Sequence, residues 1–594
     1  MKRSILFTTL LIPTLVFADN YIVTAEKISK STKETSNSIT VITEDQIEKS
    51  GAQSFKDIIQ SIPGVYISSN GSLGGISTLR IRGASTGFSK VVIDGLEMND
   101  SSNPDYAFEI NQLDISNIEQ IEVLKGSQSV IYGSEAIGGV IKITTKQSKE
   151  KKTNISLTAG SFNTKAMSFS STGSKNKVSY SLGGSFYITD GISSYNEKRT
   201  VHAEKDRYNR VNLKSLLKYQ FSKKSSLSYQ AHLLKSDLDI DSFGADKESG
   251  DNSSYDQNLH KLTYSTRLFK DLLKSDLSYA FTDVYRNNEA QPATFRGKNK
   301  KVTWNGTHYV QKSLTALYGL EYDYQETTQK FSGSTNIEKS TDVSSAYVST
   351  HFTQDKFFFD LGLRQDKHQA YDSHSTYKVG AGLNLPRNIV LKSTYATGYK
   401  APTIYQLNIG ANPNHNLRPT ESKSYDFTLI VPHSIASLEL SYFNFDYKNQ
   451  IKYTGTWGVN DKYDNIDESR INGYELAINL SLNKYLSWDN GFTYTKSKDK
   501  MTGLDLLKTP KKVARSILTY SHNESFSAAT TFKYVGERFD FGQKRIPSYL
   551  VGDMVFNYEN IQARVANILN KEYEDTDTYG TPDRSYYLSY KLEL

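Results

Sequence analysis

From about residue 150 onward the chain alternates between apolar and polar positions. Tyr318, Leu320, Tyr322 and Tyr324 interleave with Gly319, Glu321 and Asp323. Tyr474, Leu476, Ile478, Leu480 and Leu482 interleave with Glu475, Ala477, Asn479 and Ser481, and the runs 357–363 and 178–182 repeat the pattern. A period of two places one set on each face of a β-strand. Polar segments of very unequal length, rich in Asn, Asp, Gly and Ser, separate these runs. The chain also ends on such a strand, with Tyr586, Leu588, Tyr590, Leu592 and Leu594 on one face. A soluble sandwich or propeller could carry this pattern, and so could a membrane barrel with its apolar face toward lipid.

The N-terminal part reads differently. Residues 1–18 predict a secretory signal: Lys2 and Arg3 open it, Ile5 to Phe17 is a short apolar run, and Val16-Phe17-Ala18 supplies a cleavage site. Beyond it, Thr43 with Gln46 and Ser54 with Asp57 fit capping boxes. Gly51 stops the first short helix and Pro63-Gly64 ends the second. Strand-like runs at 38–42, 90–93, 120–124 and 140–145 complete a small α+β unit. The predicted organisation is a signal at 1–18, an extended linker at 19–37, the α+β unit at 38–147 and a β-rich region at 148–594.

Export favours the membrane barrel, and composition strengthens that choice. Apolar residues are only 37% of the chain, yet 41 tyrosines and 27 phenylalanines enrich strand ends as interfacial girdles require. No downstream run reaches the length of a transmembrane helix. With no cysteine, the chain excludes disulfides, thiolate metal sites and a lipoprotein anchor. The formal charge of +7, part of it on Lys2 and Arg3, is too mild to imply nucleic acid. At roughly 20 residues per strand and connection, the second region predicts about 22 strands, a size whose lumen is plugged. The expected fold is therefore mainly β: a transmembrane antiparallel barrel with the N-terminal α+β unit in its lumen. No catalytic triad, phosphate loop or carboxylate pair stands out, so an enzyme is not expected.

Specific motifs lie between residues 79 and 145. Leu79-Arg80-Ile81-Arg82-Gly83 is followed by Val91-Val92-Ile93-Asp94-Gly95, Met98-Asn99-Asp100, Ile118 to Gly126, Tyr132-Gly133-Ser134 and Ala136 to Ile141. In order, spacing and residue type this resembles the plug of TonB-dependent outer-membrane transporters. Gly398 to Pro402, Asn412 to Asn414, Leu417 to Pro419, Glu421 to Tyr425, Val565 to Tyr573 and Gly580 to Tyr587 resemble the family's late barrel, so the likeness spans nearly the whole mature chain. Within the family the sequence looks most like the cobalamin receptors. Ile22-Val23-Thr24-Ala25 follows closely on the signal, and no signalling domain precedes the plug.

The resemblance implies energy-coupled import of a scarce, large nutrient, with cobalamin first and a ferric siderophore or haem as alternatives; a passive porin would need no plug. It implies a monomer in outer-membrane lipid and a partner, TonB, that grips Tyr21, Ile22, Val23, Thr24 and Ala25 as an added strand. It implies that Arg80, Arg82 and Lys125 pair with Glu421 and Glu475 of the barrel wall, although a lysine at 125 cannot form a bidentate fork. Substrate contacts are expected at the plug apices, from Ser85, Ser89, Asp100, Tyr106 and Phe108, the two aromatics stacking on a flat ligand.

Asp237, Asp239 and Asp241 alternate before Asp246 and Glu248. Ser242 where an EF-hand needs glycine, and the lack of flanking helices, reject that motif. The stretch is either a solvated acidic loop or, as the cobalamin receptors imply, a loop site for calcium, with Asp190, Glu204 and Asp206 as further ligands.

Overall fold

The structure, a computed structural model, describes residues 21–594 except 72, 200–203, 242–251, 290–291, 333, 372, 457–458 and 524. The expected signal at 1–18, and Ser242, Asp246 and Glu248, lie outside the described residues.

Twenty-two antiparallel strands form a closed barrel, in agreement with the sequence arithmetic. Each strand pairs with its neighbour in order. The barrel closes where Lys152–Gly160 pairs with Ser585–Glu593, in register from Asn154↔Glu593 to Gly160↔Tyr587. Closure removes every free sheet edge, which hydrocarbon would not tolerate. The alternation is inside-out: Leu363 is 59% exposed, while the next residue, Arg364, is 5% exposed in the lumen. Leu361, Tyr474 and Leu588 likewise face outward, and Asp360 and Glu475 face inward. Connections at the end nearer the chain termini are short turns, such as 176–177 and 312–313. The opposite end carries long ones, including 190–207, 401–419 and 567–584. No described helix is long and apolar enough to cross a membrane, and the crossing is made by strands.

The lumen holds the N-terminal unit. β1 (Ile22–Val23) pairs with β2 (Lys30–Ser31). Then come β3 (Ser38–Thr43), α1 (Glu44–Ser50) and α2 (Phe55–Ile59). β4 (Val65–Ser69) pairs with β5 (Ser77–Ile81). β6 (Ser89–Ile93), β7 (Leu96–Glu97), β8 (Ile118–Lys125), α3 (Ser129–Tyr132) and β9 (Gly139–Thr145) follow. The main sheet has the order β3-β8-β9-β6-β7. Both expected capping boxes form: Thr43 caps α1 and Ser54 caps α2. Phe55, Ile58, Ile59, Ile67, Ile81, Ile121 and Val123 build its apolar core.

Candidate functional site

One plug–wall contact is a buried charge cluster. Arg82, just past β5, is 1% exposed. Its Nε donates to Glu475 Oε1 at 3.0 Å and its Nη2 to Glu475 Oε2 at 2.9 Å, while Nη1 donates to Asp426. Lys125 Nζ, at the end of β8, reaches Glu475 Oε2 at 3.1 Å. The guanidinium also lies 4.8 Å from the Phe443 ring centroid. Burial pulls Arg82 toward the neutral form, but Asp426 and Glu475 outweigh it and hold its proton more tightly than usual. The fork belongs to Arg82, and Lys125 adds a single point contact. Gly64 makes room for the cluster: its φ is +79°, and a Cβ there would fall 1.8 Å from Glu475 Oε1.

Two expected members do not join. Glu421 is exposed on the outer face of the strand Thr420–His433, because odd positions there point outward with Tyr425 and Phe427. Asp426, on the inward parity, takes its place. Among the described residues, Arg80 is paired to no carboxylate at salt-bridge distance; its Nη1 donates to the carbonyls of Gly83 and Ala84 at 3.3 and 3.5 Å. Asp426→Asn should therefore raise leakage of small hydrophilic solutes, and Glu421→Gln should leave it unchanged. Dye influx into intact cells reads both.

The segment Tyr21–Ala25 lies against the plug. Glu122 Oε2 accepts from the backbone N–H of Thr24 at 2.9 Å and of Ala25 at 2.8 Å. The Tyr132 hydroxyl donates to the Ala25 carbonyl at 2.6 Å, and Gln120 Nε2 to the Ile22 carbonyl at 3.2 Å. Ile22 is 57% exposed, whereas Val23 is buried. The next residues are tied to the wall: Glu26 to Lys378 at 2.6 Å, Lys27 to Glu321 at 3.2 Å and Lys30 to Asp360 at 3.0 Å.

Toward the long connections, plug and wall enclose a polar vestibule lined by Tyr106, Ser134, Arg364, Asp366, Tyr399 and Thr403, among others. Among the described residues, the vestibule side chains Arg364 and Asp323 each keep one buried polar atom, Nη1 and Oδ1, without a hydrogen-bond partner. Of the expected substrate residues, Tyr106 borders this space, its hydroxyl accepting from Asn299 at 2.6 Å and Gln325 at 3.2 Å. Phe108 does not: it is packed in the plug core with Leu113 and Ile118, so it cannot stack on a ligand there. Asp100 is buried and paired with Arg286 at 3.1 Å. Ser89 is buried in β6, and Ser85 is half-buried beside it.

An acidic cluster sits at the same end. Ligand atoms of Glu204, Asp206 and Asp241 lie within 4.8 Å of one another. The Tyr195 N–H donates to Asp241 at 2.8 Å and the Ser194 N–H to Asp206. Among the described residues, Asp206 Oδ1 is buried without a hydrogen-bond partner. Burial, with Asp241 and Glu204 adding, pushes Asp206 up to about 7. Asp190, Asp237 and Asp239 stand outside the cluster: Asp237 and Asp239 are ladder residues of the strand Ser225–Asp239, and Asp190 contacts Asn163. The plug reaches this loop. Gly71 has φ +71°, and a Cβ there would fall 2.4 Å from Ser194 Cα.

The vestibule, the acidic triad, Asp426 and Gly64 bring together residues far apart in sequence. Glu204, Asp206, Asp241 and Tyr106 were among the residues the sequence singled out; Asp426 was missed, although it shares its strand parity with Ser424 and Thr428.

Comparison with known proteins agrees with this geometry. The vitamin B12 transporter BtuB of Vibrio vulnificus (strain YJ016) is 27% identical over 581 residues, covering 95% of this chain and 92% of that protein. BtuB of Photobacterium profundum is 25% identical, covering 99% of each. Among solved structures, the siderophore receptor PirA from Acinetobacter baumannii superposes with a TM-score of 0.83 at 21% identity, covering 97% of this chain and all of that one. A variant of the ferric enterobactin receptor PfeA from Pseudomonas aeruginosa gives 0.82 at 19%, with 97% of this chain and all of that one covered. These structural likenesses show the fold. The TonB-dependent Receptor Plug Domain family matches residues 31–140, and the TonB dependent receptor-like, beta-barrel family matches residues 194–570. With both parts present in one chain and the first seated inside the second, the protein belongs to the TonB-dependent receptors of the outer membrane.

Proposed function

We propose that this receptor imports cobalamin, and that TonB drives the import by pairing with Tyr21–Ala25. The observation that carries the substrate is the end-to-end likeness, at 25–27% identity, to proteins named vitamin B12 transporters. The likeness to siderophore receptors is one of fold. The barrel is filled by its plug, so a large solute needs a driven rearrangement, and the outer membrane holds no energy source of its own. Pairing with a partner strand would use the β-prone backbone of Ile22 and Val23, once Glu122 releases the neighbouring N–H groups. In a purified preparation, cyanocobalamin should bind and ferric enterobactin should not; the reverse order of affinities would reject the substrate.

The proposal includes calcium. Glu204, Asp206 and Asp241 fit a hard cation: all offer carboxylate oxygens, and one of those oxygens is buried and unmatched. A bound calcium ion would supply two positive charges and so offset most of the repulsion among the three carboxylates. The chain's own part is to hold the loop carrying Ser194 over the plug at Gly71. The sign of the pH effect follows from the raised Asp206. Without the ion, its ionisation weakens the closed loop as pH rises from about 4 to 7, between its ordinary and its shifted value. Bound cation removes that penalty, and protons compete with it below about pH 7. Asp206→Asn should abolish calcium-dependent substrate affinity. Equal affinities with calcium and with chelator in the native protein would dispose of the site.

A further inference from the structure

The plug meets the wall through different kinds of contact on different sides. Facing the strands Ala436–Thr454 and Lys462–Asn483 it is cemented by Arg82 and by an apolar cluster of Ala84, Phe88 and Ile137 against Phe443, Phe445 and Tyr447. Phe88 and Tyr447 ring centroids are 5.1 Å apart there.

The side facing the strands Leu273–Asn288 and Ala293–Gln311 is different. A cavity of about 200 Å3 separates plug from wall. Its wall carries small neutral side chains at Ser278, Ala280, Thr282, Asn299, Thr303 and Asn305, and charged ones at Lys261, Asp276, Lys301, Glu321 and Asp323. Its lower end reaches Thr24 and Lys27 of the coupling segment. Its upper end shares Tyr132, Lys301, Glu321 and Asp323 with the vestibule. Lys301 stands between the two spaces, 2.8 Å from Glu97 of the plug and 3.6 Å from Glu321 of the wall.

The plug element bordering the cavity is a short edge hairpin whose ties to the wall are polar: Lys261 Nζ donates to the Gly95 carbonyl at 2.8 Å and Lys301 pairs with Glu97. β7 is the edge of the main sheet and pairs only through Val92↔Glu97 and Ile93↔Leu96. An edge strand with so few ladder contacts opens at lower cost than the sheet centre.

We propose that the transported solute passes on this side, between the β7 hairpin and the wall strands Leu273–Asn288 and Ala293–Gln311. The hairpin moves aside while the opposite face of the plug stays fixed by Arg82, Glu475 and Asp426. At rest the seam is too small, since pockets for drug-sized ligands measure about 300–1,000 Å3; it is a line of weakness that widens during transport. The small hydroxyl and amide side chains of the wall leave room for a bulky polar solute and offer it hydrogen bonds. This route rests on the importer reading given above.

The chain has no cysteine, so single thiols report locally. Ser278→Cys marks the seam, and Thr495→Cys marks the cemented side, near Gly83. Cells carrying each variant are treated with a membrane-impermeant maleimide, with and without cyanocobalamin and TonB, while uptake of cobalt-labelled cyanocobalamin is recorded. Labelling of Ser278→Cys should rise about fivefold during transport, as a transiently open state becomes populated, and Thr495→Cys should not change. In a second variant, Ala280→Trp, uptake should fall about tenfold with surface binding retained, because the added ring fills the seam. A rise at Thr495→Cys matching that at Ser278→Cys, or continued uptake with no rise at Ser278→Cys, overturns the route. Absence of uptake by the native chain overturns the importer reading and the route with it.

Discussion

Arg82→Glu should make the receptor leak. The native side chain is fully buried and gives three donors to two carboxylates of the wall. Reversal would place a third carboxylate beside Glu475 and Asp426, with Lys125 as the remaining cation of the cluster. Breaking a buried pair by removing one partner costs about 3–5 kcal/mol, and like charges add to that. The loss falls on the contact that holds the plug to the strands Thr420–His433 and Lys462–Asn483 rather than on the plug's own core. Influx of a small hydrophilic dye should rise at least about tenfold, the change that ~1.4 kcal/mol produces in an equilibrium. Arg82→Lys should give an intermediate leak, because a point charge cannot satisfy both Glu475 and Asp426. An unchanged permeability in Arg82→Glu would mean that the cluster does not retain the plug.

Val23→Pro should abolish uptake while leaving surface binding intact. Proline removes a backbone donor and cannot join the interior of a strand ladder. Val23 sits in β1, between exposed Ile22 and the Thr24 N–H held by Glu122. The vestibule lies elsewhere, between Tyr106 and Arg364, so the substrate should still bind. Uptake should fall by about a hundredfold, a loss of roughly 2–3 kcal/mol of pairing at 1.4 kcal/mol per tenfold. A mutant that binds and imports normally would remove Tyr21–Ala25 from the coupling role.

The barrel was legible because its signal is local and repeated. One rule, period two, sorts Leu363 from Arg364 and Tyr474 from Glu475 without knowledge of any partner. The capping boxes at Thr43 and Ser54 were legible for the same reason, since a cap reads its own next three residues. The pairing residues were half legible. Glu475 followed from parity. Glu421 was expected from its motif, and parity would have rejected it in favour of Asp426. Phe108 misled because it lies in a polar apical stretch, and only the fold turns it under that stretch into the core. The acidic triad was partly legible as a rich stretch. Which carboxylates converge depends on where the strand Ser225–Asp239 ends and on how the loop 190–207 crosses it, and neither is written in spacing. The seam beside β7 left no sequence signal, because it arises from the spacing between plug and wall rather than from any one run of residues.

The most direct test of driven import is accumulation of cobalt-labelled cyanocobalamin in cells stripped of their own cobalamin receptor. Cells given this protein should accumulate the label when TonB is present and hold only a surface-bound fraction when TonB is deleted. Equal accumulation with and without TonB would make the barrel a passive pore and contradict the account.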